Sequence, residues 1–205
     1  MDKRKVIVRD ISWLAFNGRV LQEAGDETVP LRERIRFLGI FSSNLDEFFR
    51  VRVAALRRMI EFGSKANMHL EQTPEKILEE INFIVNNQQN QFNRTWAHIL
   101  EELKTHKIFL LTEKDLDREQ QKFVLSYFND KVRNNIVPLM IENIQVFPTL
   151  NDKSIYLACK LSAKNGAIPQ RFALVSVPSR LPRFVILPNE DDRNCVMLLE
   201  DIIRF

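Results

Sequence analysis

Apolar residues recur at steps of three and four through the first half of the chain, then give way to short runs of β-type residues. The first half therefore predicts helices and the second strands. Trp13, Phe16, Val20 and Ala24 share one helical face, Asp10 can cap that helix, and Gly25-Asp26 ends it. Pro30 suits the next helix start, where its missing N–H costs nothing. From there Leu31, Ile35, Leu38, Phe41, Leu45, Phe49, Val53, Leu56 and Ile60 predict one helix of about eight turns, closed near Gly63. Thr73-Pro74-Glu75 opens a further helix with a capping residue, a proline and an early acid. Its stripe is Ile77, Ile81, Ile84, Phe92, Trp96, Ile99 and Leu103, interrupted by a polar stretch at Gln88. The two long helices are expected to pack as an antiparallel hairpin, with the first helix against them.

Residues 107–112 read as a strand or a connector, and 117–134 as a helix. Short β-type runs follow at 154–161, 171–177 and 183–187, and 194–205 reads as strand into helix. Six of the eight prolines lie from Pro138 onward, which marks the change of composition. The expected fold class is α+β: an antiparallel helical bundle over 1–106, then an incomplete mixed α/β domain over 107–205. About three strands and an abrupt apolar ending predict that this second domain is truncated at its C-terminal end.

Composition narrows the function classes. A chain of 205 residues, 45% hydrophobic and 28% charged, suits one ordinary domain or two small ones. A net charge of +3 is too small to imply nucleic acid, which needs clustered cations. Cys159 and Cys195 match no zinc or redox spacing and are expected to be reduced, which favours the cytoplasm. No signal-peptide pattern opens the chain, and no apolar run reaches the roughly 18 residues of a membrane span. Peripheral association with a membrane stays open.

Candidate chemistry is sparse. No glycine-rich phosphate cradle, HExxH or GxSxG occurs. His69, His98 and His106 are not spaced as a metal set, so neither a catalytic nor a metal site is expected in this chain. One segment is different. Ser42-Ser43-Asn44-Leu45-Asp46-Glu47 places weak helix formers in the middle of a strong helix, which predicts a bend or a loosened turn there. An amide at such a place suits the edge of a nucleobase, or else is a buried, satisfied group. Leu45, Phe48 and Phe49 read as core, and Asp46 and Glu47 as partners of Arg50. Arg50, Arg52, Arg57, Arg58 and Lys65, with Arg32, Arg34 and Arg36, read as a solvated face or as a positive surface for a polyanion.

The same residues carry a family resemblance. Ile11-Ser12-Trp13-Leu14-Ala15-Phe16-Asn17-Gly18-Arg19-Val20-Leu21 and the run from Val29 through Asn44 to Phe49 resemble the opening of the polyphosphate kinases of the long-chain, polyphosphate-synthesising type. Val51-Arg52-Val53-Ala54 closes that block, and Arg171-Phe172-Ala173-Leu174-Val175-Ser176-Val177-Pro178 with Leu181-Pro182-Arg183-Phe184 resembles the family's head domain. Gln145-Val146-Phe147-Pro148 departs from the family's His-Pro-Phe-Pro-like segment. The resemblance implies a multidomain enzyme that transfers the terminal phosphoryl group of ATP to polyphosphate, reversibly, through a phosphohistidine. It implies that the histidine nucleophile and the Mg2+ site lie in catalytic domains beyond Phe205, that Asn44 contributes to the ATP site, and that the enzyme forms homo-oligomers; no nucleic-acid partner is expected, given the small net charge. This chain alone is then expected to be inactive. The alternative is a free-standing helical module that holds a protein partner on its Phe-rich and basic faces.

Overall fold

The computed structural model describes residues 9–62, 72–141, 147, 149–162, 170–189 and 192–205. The fold is α+β and divides into two compact units, Met1–Glu102 and Leu103–Phe205.

The first unit is built from α1 (Arg9–Gly25), α2 (Leu31–Phe48), α3 (Ala54–Phe62) and most of α4 (Pro74–Thr105). The α1–α2 turn is held by Asp26, whose Oδ1 accepts from the Thr28 hydroxyl at 2.7 Å and its N–H at 2.9 Å. These bonds, the hydroxyl's first, hold the Asp26 carboxyl below the usual range. Contacts set the helix directions. Asp10 meets Arg52, Trp13 stacks on Phe48, Asn17 meets Asn44, and the Ala24 carbonyl accepts from Arg34, so α1 runs against α2. Ile77 and Ile81 share an apolar cluster with Leu14, Val53 and Leu56, Phe92 faces Phe41, and Glu102 reaches Arg34. The α4 helix is therefore antiparallel to α2 and α3, as the hairpin expectation had it. Each fully buried Leu, Ile or Phe in such a core stabilises by about 1.5–3 kcal/mol.

Three expectations fail in this unit. Asp10 does not cap α1; it lies inside the first turn, buried, with its carboxylate on Arg52. The buried face of α1 runs through Asp10, Leu14, Asn17, Leu21 and Ala24, while Phe16 is 58% exposed. Hydrophobicity alone set the wrong phase, because the facing helix offers hydrogen-bond partners that turn Asn17 inward. The polar break itself stays α-helical. The irregularity lies just beyond it, as a π turn at Phe49–Val53 in which the Ala54 N–H bonds to the Phe49 carbonyl. That extra residue explains the register. Buried positions run Arg34, Leu38, Phe41 and Phe48, then jump five residues to Val53 before Leu56. A regular α-helix would have turned Val53 off the core.

The second unit is mixed. β1 (Ile108–Leu111) runs parallel to β6 (Asn194–Leu198), and β5 (Phe184–Ile186) pairs antiparallel on the other side of β6. A separate antiparallel sheet has the order β2 (Pro138–Met140), β4 (Arg171–Ser176), β3 (Tyr156–Leu161). The described residues hold six strands in two sheets; five fall on the segments read as strand or as strand-or-connector, and β2 is the one that was not expected. β1 and β2 are too short to show alternation, and the proline opening β2 is tolerated because that strand is an edge. The α5 helix (Arg118–Tyr127) starts with a reciprocal cap between Asp117 and Gln120 and continues through a π turn at Phe128–Val132. The α6 helix (Leu199–Arg204) follows β6 directly. Val124, Val132, Val185, Leu187, Cys195, Met197, Leu199 and Ile202 form the core.

Candidate functional site

The site builds up from the polar break on α2. Ser42, Ser43, Asp46 and Glu47 are exposed, while Phe48 is buried and Leu45 and Phe49 pack against the core. Asn44 sits between these faces, half-buried. Its Nδ2 donates to Asn17 Oδ1 at 3.1 Å, and Asn17 Nδ2 donates to the Phe41 carbonyl at 3.2 Å. Asn17 is fully buried. One N–H of Asn44 is thus satisfied internally, while its Oδ1 has no partner among the described residues. Asn17 was visible only as part of the opening motif; an asparagine on a helix face gives no sign of pointing inward until the facing carbonyl is placed.

A groove of about 270 Å³ is lined by Arg9, Asp10, Trp13, Glu47, Phe48, Val51 and Arg52, and neither Asn17 nor Asn44 lines it. Trp13 and Phe48 stack at 4.7 Å with their planes 11° apart. Arg52 binds both oxygens of Asp10, at 2.7 and 3.2 Å, and this bond raises the Arg52 pKa. The pair is only partly buried, so it fixes geometry more than it stabilises.

The basic residues do not act as one surface. Arg34 is buried and bonds to Glu102 at 2.6 Å and to the Ala24 carbonyl at 3.0 Å. Arg50 pairs with Asp46 and Glu47, Arg52 with Asp10, and Arg36 lies 3.7 Å from Glu33. Arg32, Arg57 and Arg58 remain exposed without a carboxylate partner among the described residues. Lys65 and His69 lie outside the described residues, as do Gln145, Val146 and Pro148. His106 is exposed, and His98 is exposed with Nδ1 3.7 Å from Glu27. Cys159 and Cys195 are both free thiols.

The second unit has a cavity of about 630 Å³ that sequence reasoning missed. Asn134, Asn151, Lys153, Ser176, Arg180 and Arg183 are among its lining residues, and none of the described lining residues is acidic. Arg183 is engaged by Glu200 at 2.6 Å. Lys153 is held at a left-handed φ of 58°, and neither it nor Arg180 has a carboxylate partner among the described residues. Such a lining attracts anions. The only sequence signal was Pro178 and Pro182 framing Ser179-Arg180.

Comparison with known proteins identifies the family. The family profile described as the polyphosphate kinase N-terminal domain matches residues 6–111, and that of the polyphosphate kinase middle domain matches 119–205. The chain belongs to the polyphosphate kinase family. It is 39% identical over 207 residues to a polyphosphate kinase of Vibrio parahaemolyticus, an alignment covering 97% of this chain and 28% of that protein. It is 40% identical to the polyphosphate kinase of Halalkalibacterium halodurans, over 96% of this chain and 28% of that one. A crystal structure of polyphosphate kinase from Porphyromonas gingivalis superimposes with a TM-score of 0.84 at 34% identity, covering 96% of this chain and 29% of that chain. The chain thus spans somewhat over a quarter of the length of the relatives it matches. A match through both halves to one family does not favour the free-standing interaction module. Among the described residues, no helix is long and apolar enough to cross a membrane.

Proposed function

We propose that this chain is the N-terminal part of a longer, cytoplasmic polyphosphate kinase, and that its helical unit supplies Asn44 to the nucleoside end of the ATP site. The reading rests on one observation above the rest: a half-buried amide, anchored from behind by Asn17, at the point where α2 carries an exposed polar face. Phosphoryl transfer depends on positioning and on neutralising phosphate charge. Asn44 serves the first need, by holding the base; it stays away from the γ-phosphate. The proposal assigns Mg2+ and the phosphorylated histidine to later domains, and treats polyphosphate as the acceptor and the whole enzyme as a homo-oligomer.

Asn44→Ala in the complete enzyme tests it. The KM for ATP is expected to rise about five- to tenfold, the loss of one net hydrogen bond, with kcat and the KM for polyphosphate little changed. An unchanged KM for ATP would leave the amide purely structural. The 205-residue chain alone is expected to show no autophosphorylation from labelled ATP.

A further inference from the structure

The hydrogen bonds behind Asn44 form a chain with a fixed direction. The Phe41 carbonyl lies at its start and can only accept. Asn17 must therefore present its Nδ2, which it does at 3.2 Å. That leaves Asn17 Oδ1, an acceptor, facing α2, and Asn44 must present its own Nδ2, at 3.1 Å. Reversing Asn44 would bring two carbonyl oxygens together. Reversing Asn17 as well would set an amide oxygen against the Phe41 carbonyl. Asn17 is fully buried, so water cannot repair either mismatch. An asparagine free on a helix surface can show either end of its amide to a ligand; this one cannot.

We infer that Asn17 is a positioning residue that sets base selectivity: by locking the Asn44 amide with Oδ1 outward, it selects adenine over guanine. The inference rests on the reading of Asn44 as a nucleoside contact. With the amide locked, Asn44 offers Oδ1 as an acceptor and its second N–H as a donor. Adenine meets that pair with its exocyclic amino group and a ring-nitrogen acceptor. Guanine carries an oxygen where adenine carries the amino group, so acceptor faces acceptor. An unlocked asparagine would turn over and accommodate guanine.

The test is ATP against GTP in the complete enzyme, with Asn17→Leu as the variant. Leucine keeps the volume and removes both relay bonds, while the Phe41 carbonyl stays within the helix. The expected result is a three- to tenfold fall in the ATP:GTP ratio of kcat/KM. It should arise from a higher KM for ATP and a lower one for GTP, with kcat for ATP within about twofold. In the Asn44→Ala background, Asn17→Leu should change the ratio no further. Equal losses for both nucleotides, or an unchanged ratio while Asn44→Ala raises the KM for ATP, would overturn the role of Asn17 and leave the Asn44 contact standing. An unchanged KM in Asn44→Ala would overturn that contact, and the selectivity with it. If Asn17→Leu does not fold, side-chain amide NMR of the unsubstituted protein decides. One slowly exchanging Asn44 Nδ2 proton and a single rotamer support the lock; an averaged, fast-exchanging amide refutes it.

Discussion

The two units place their buried polar groups differently. The helical unit buries Asp10, Asn17, Arg34 and Thr95 between helices, and three of them bond to an element other than their own. The mixed unit buries Gln120 and Asp201, both in the first turn of a helix, while the buried residues of its strands are apolar, and its ion pairs Arg204 with Glu113 and Lys107 with Asp192 lie near the surface. The difference follows from how each kind of element finds its register. Strands are aligned residue by residue through backbone hydrogen bonds. Helices satisfy their backbones internally, so apolar faces can slide past one another at little cost. Buried polar pairs remove that freedom, because only one alignment satisfies them.

Substitutions at five positions test this contrast, beginning with the largest expected effect. Arg34→Met should destabilise the chain by about 3 kcal/mol in urea unfolding, since it removes a buried guanidinium that holds the Ala24 carbonyl and reaches Glu102. A loss below about 1 kcal/mol would mean that the apolar faces align the helices unaided. In the mixed unit, Met197→Ala should cost about 2–4 kcal/mol, whereas Met197→Leu should cost under about 1.5, because volume is what matters there. Glycines sharpen the helical side. Gly39→Ala should stabilise by about 0.5–1 kcal/mol, as nothing lies within 4 Å of the new Cβ. At Gly18 the new Cβ would lie 2.8 Å from Gln88 Nε2, the group that bonds the Leu14 carbonyl at 2.9 Å. Gly18→Ala should therefore gain nothing, and removing Gln88 in the same chain should restore the gain. Lys107 adopts a left-handed φ of 60° where α4 ends, a place that favours glycine. Lys107→Gly should stabilise by up to about 1 kcal/mol, read as a rise in Tm.

The smallest effect is a pH dependence. The Arg204 guanidinium, which bonds both Glu113 oxygens, holds the Glu113 carboxyl below its usual range. A carboxyl lowered on folding adds stability above its unfolded pKa and loses it as pH falls through the folded value. Acidification below about pH 4 should therefore lower Tm less in Arg204→Gln than in the unsubstituted chain. Asp201 works the other way. Burial pushes its carboxyl up, so its contribution is complete below the unfolded pKa and is lost as pH rises through the folded one.

Much of the fold was legible because its signals are local. The α4 start at Thr73-Pro74, the α1 end at Gly25-Asp26, the α5 helix from Asp117 and the β6-to-α6 succession each depend on neighbours in sequence. What escaped depends on partners far away in the chain. Phe16 outranks Asn17 on any hydrophobicity scale, yet Asn17 is the one buried, because Phe41 and Asn44 meet it. Arg34 read as surface charge until Glu102 and Ala24 closed around it. The anion-attracting cavity joins Lys153 to Arg180, residues with no sequence relation.

Sequence by itself determined the class of fold, the family, and Asn44 as the residue to watch. These rest on helix-period stripes, capping chemistry and a long motif, all of which are written along the chain. Tertiary structure decided the phase of α1, the five-residue step after Phe48 and the direction in which the Asn44 amide is held. Those are properties of pairs brought together by packing, and a buried polar group takes its orientation from whichever donor or acceptor lies opposite it.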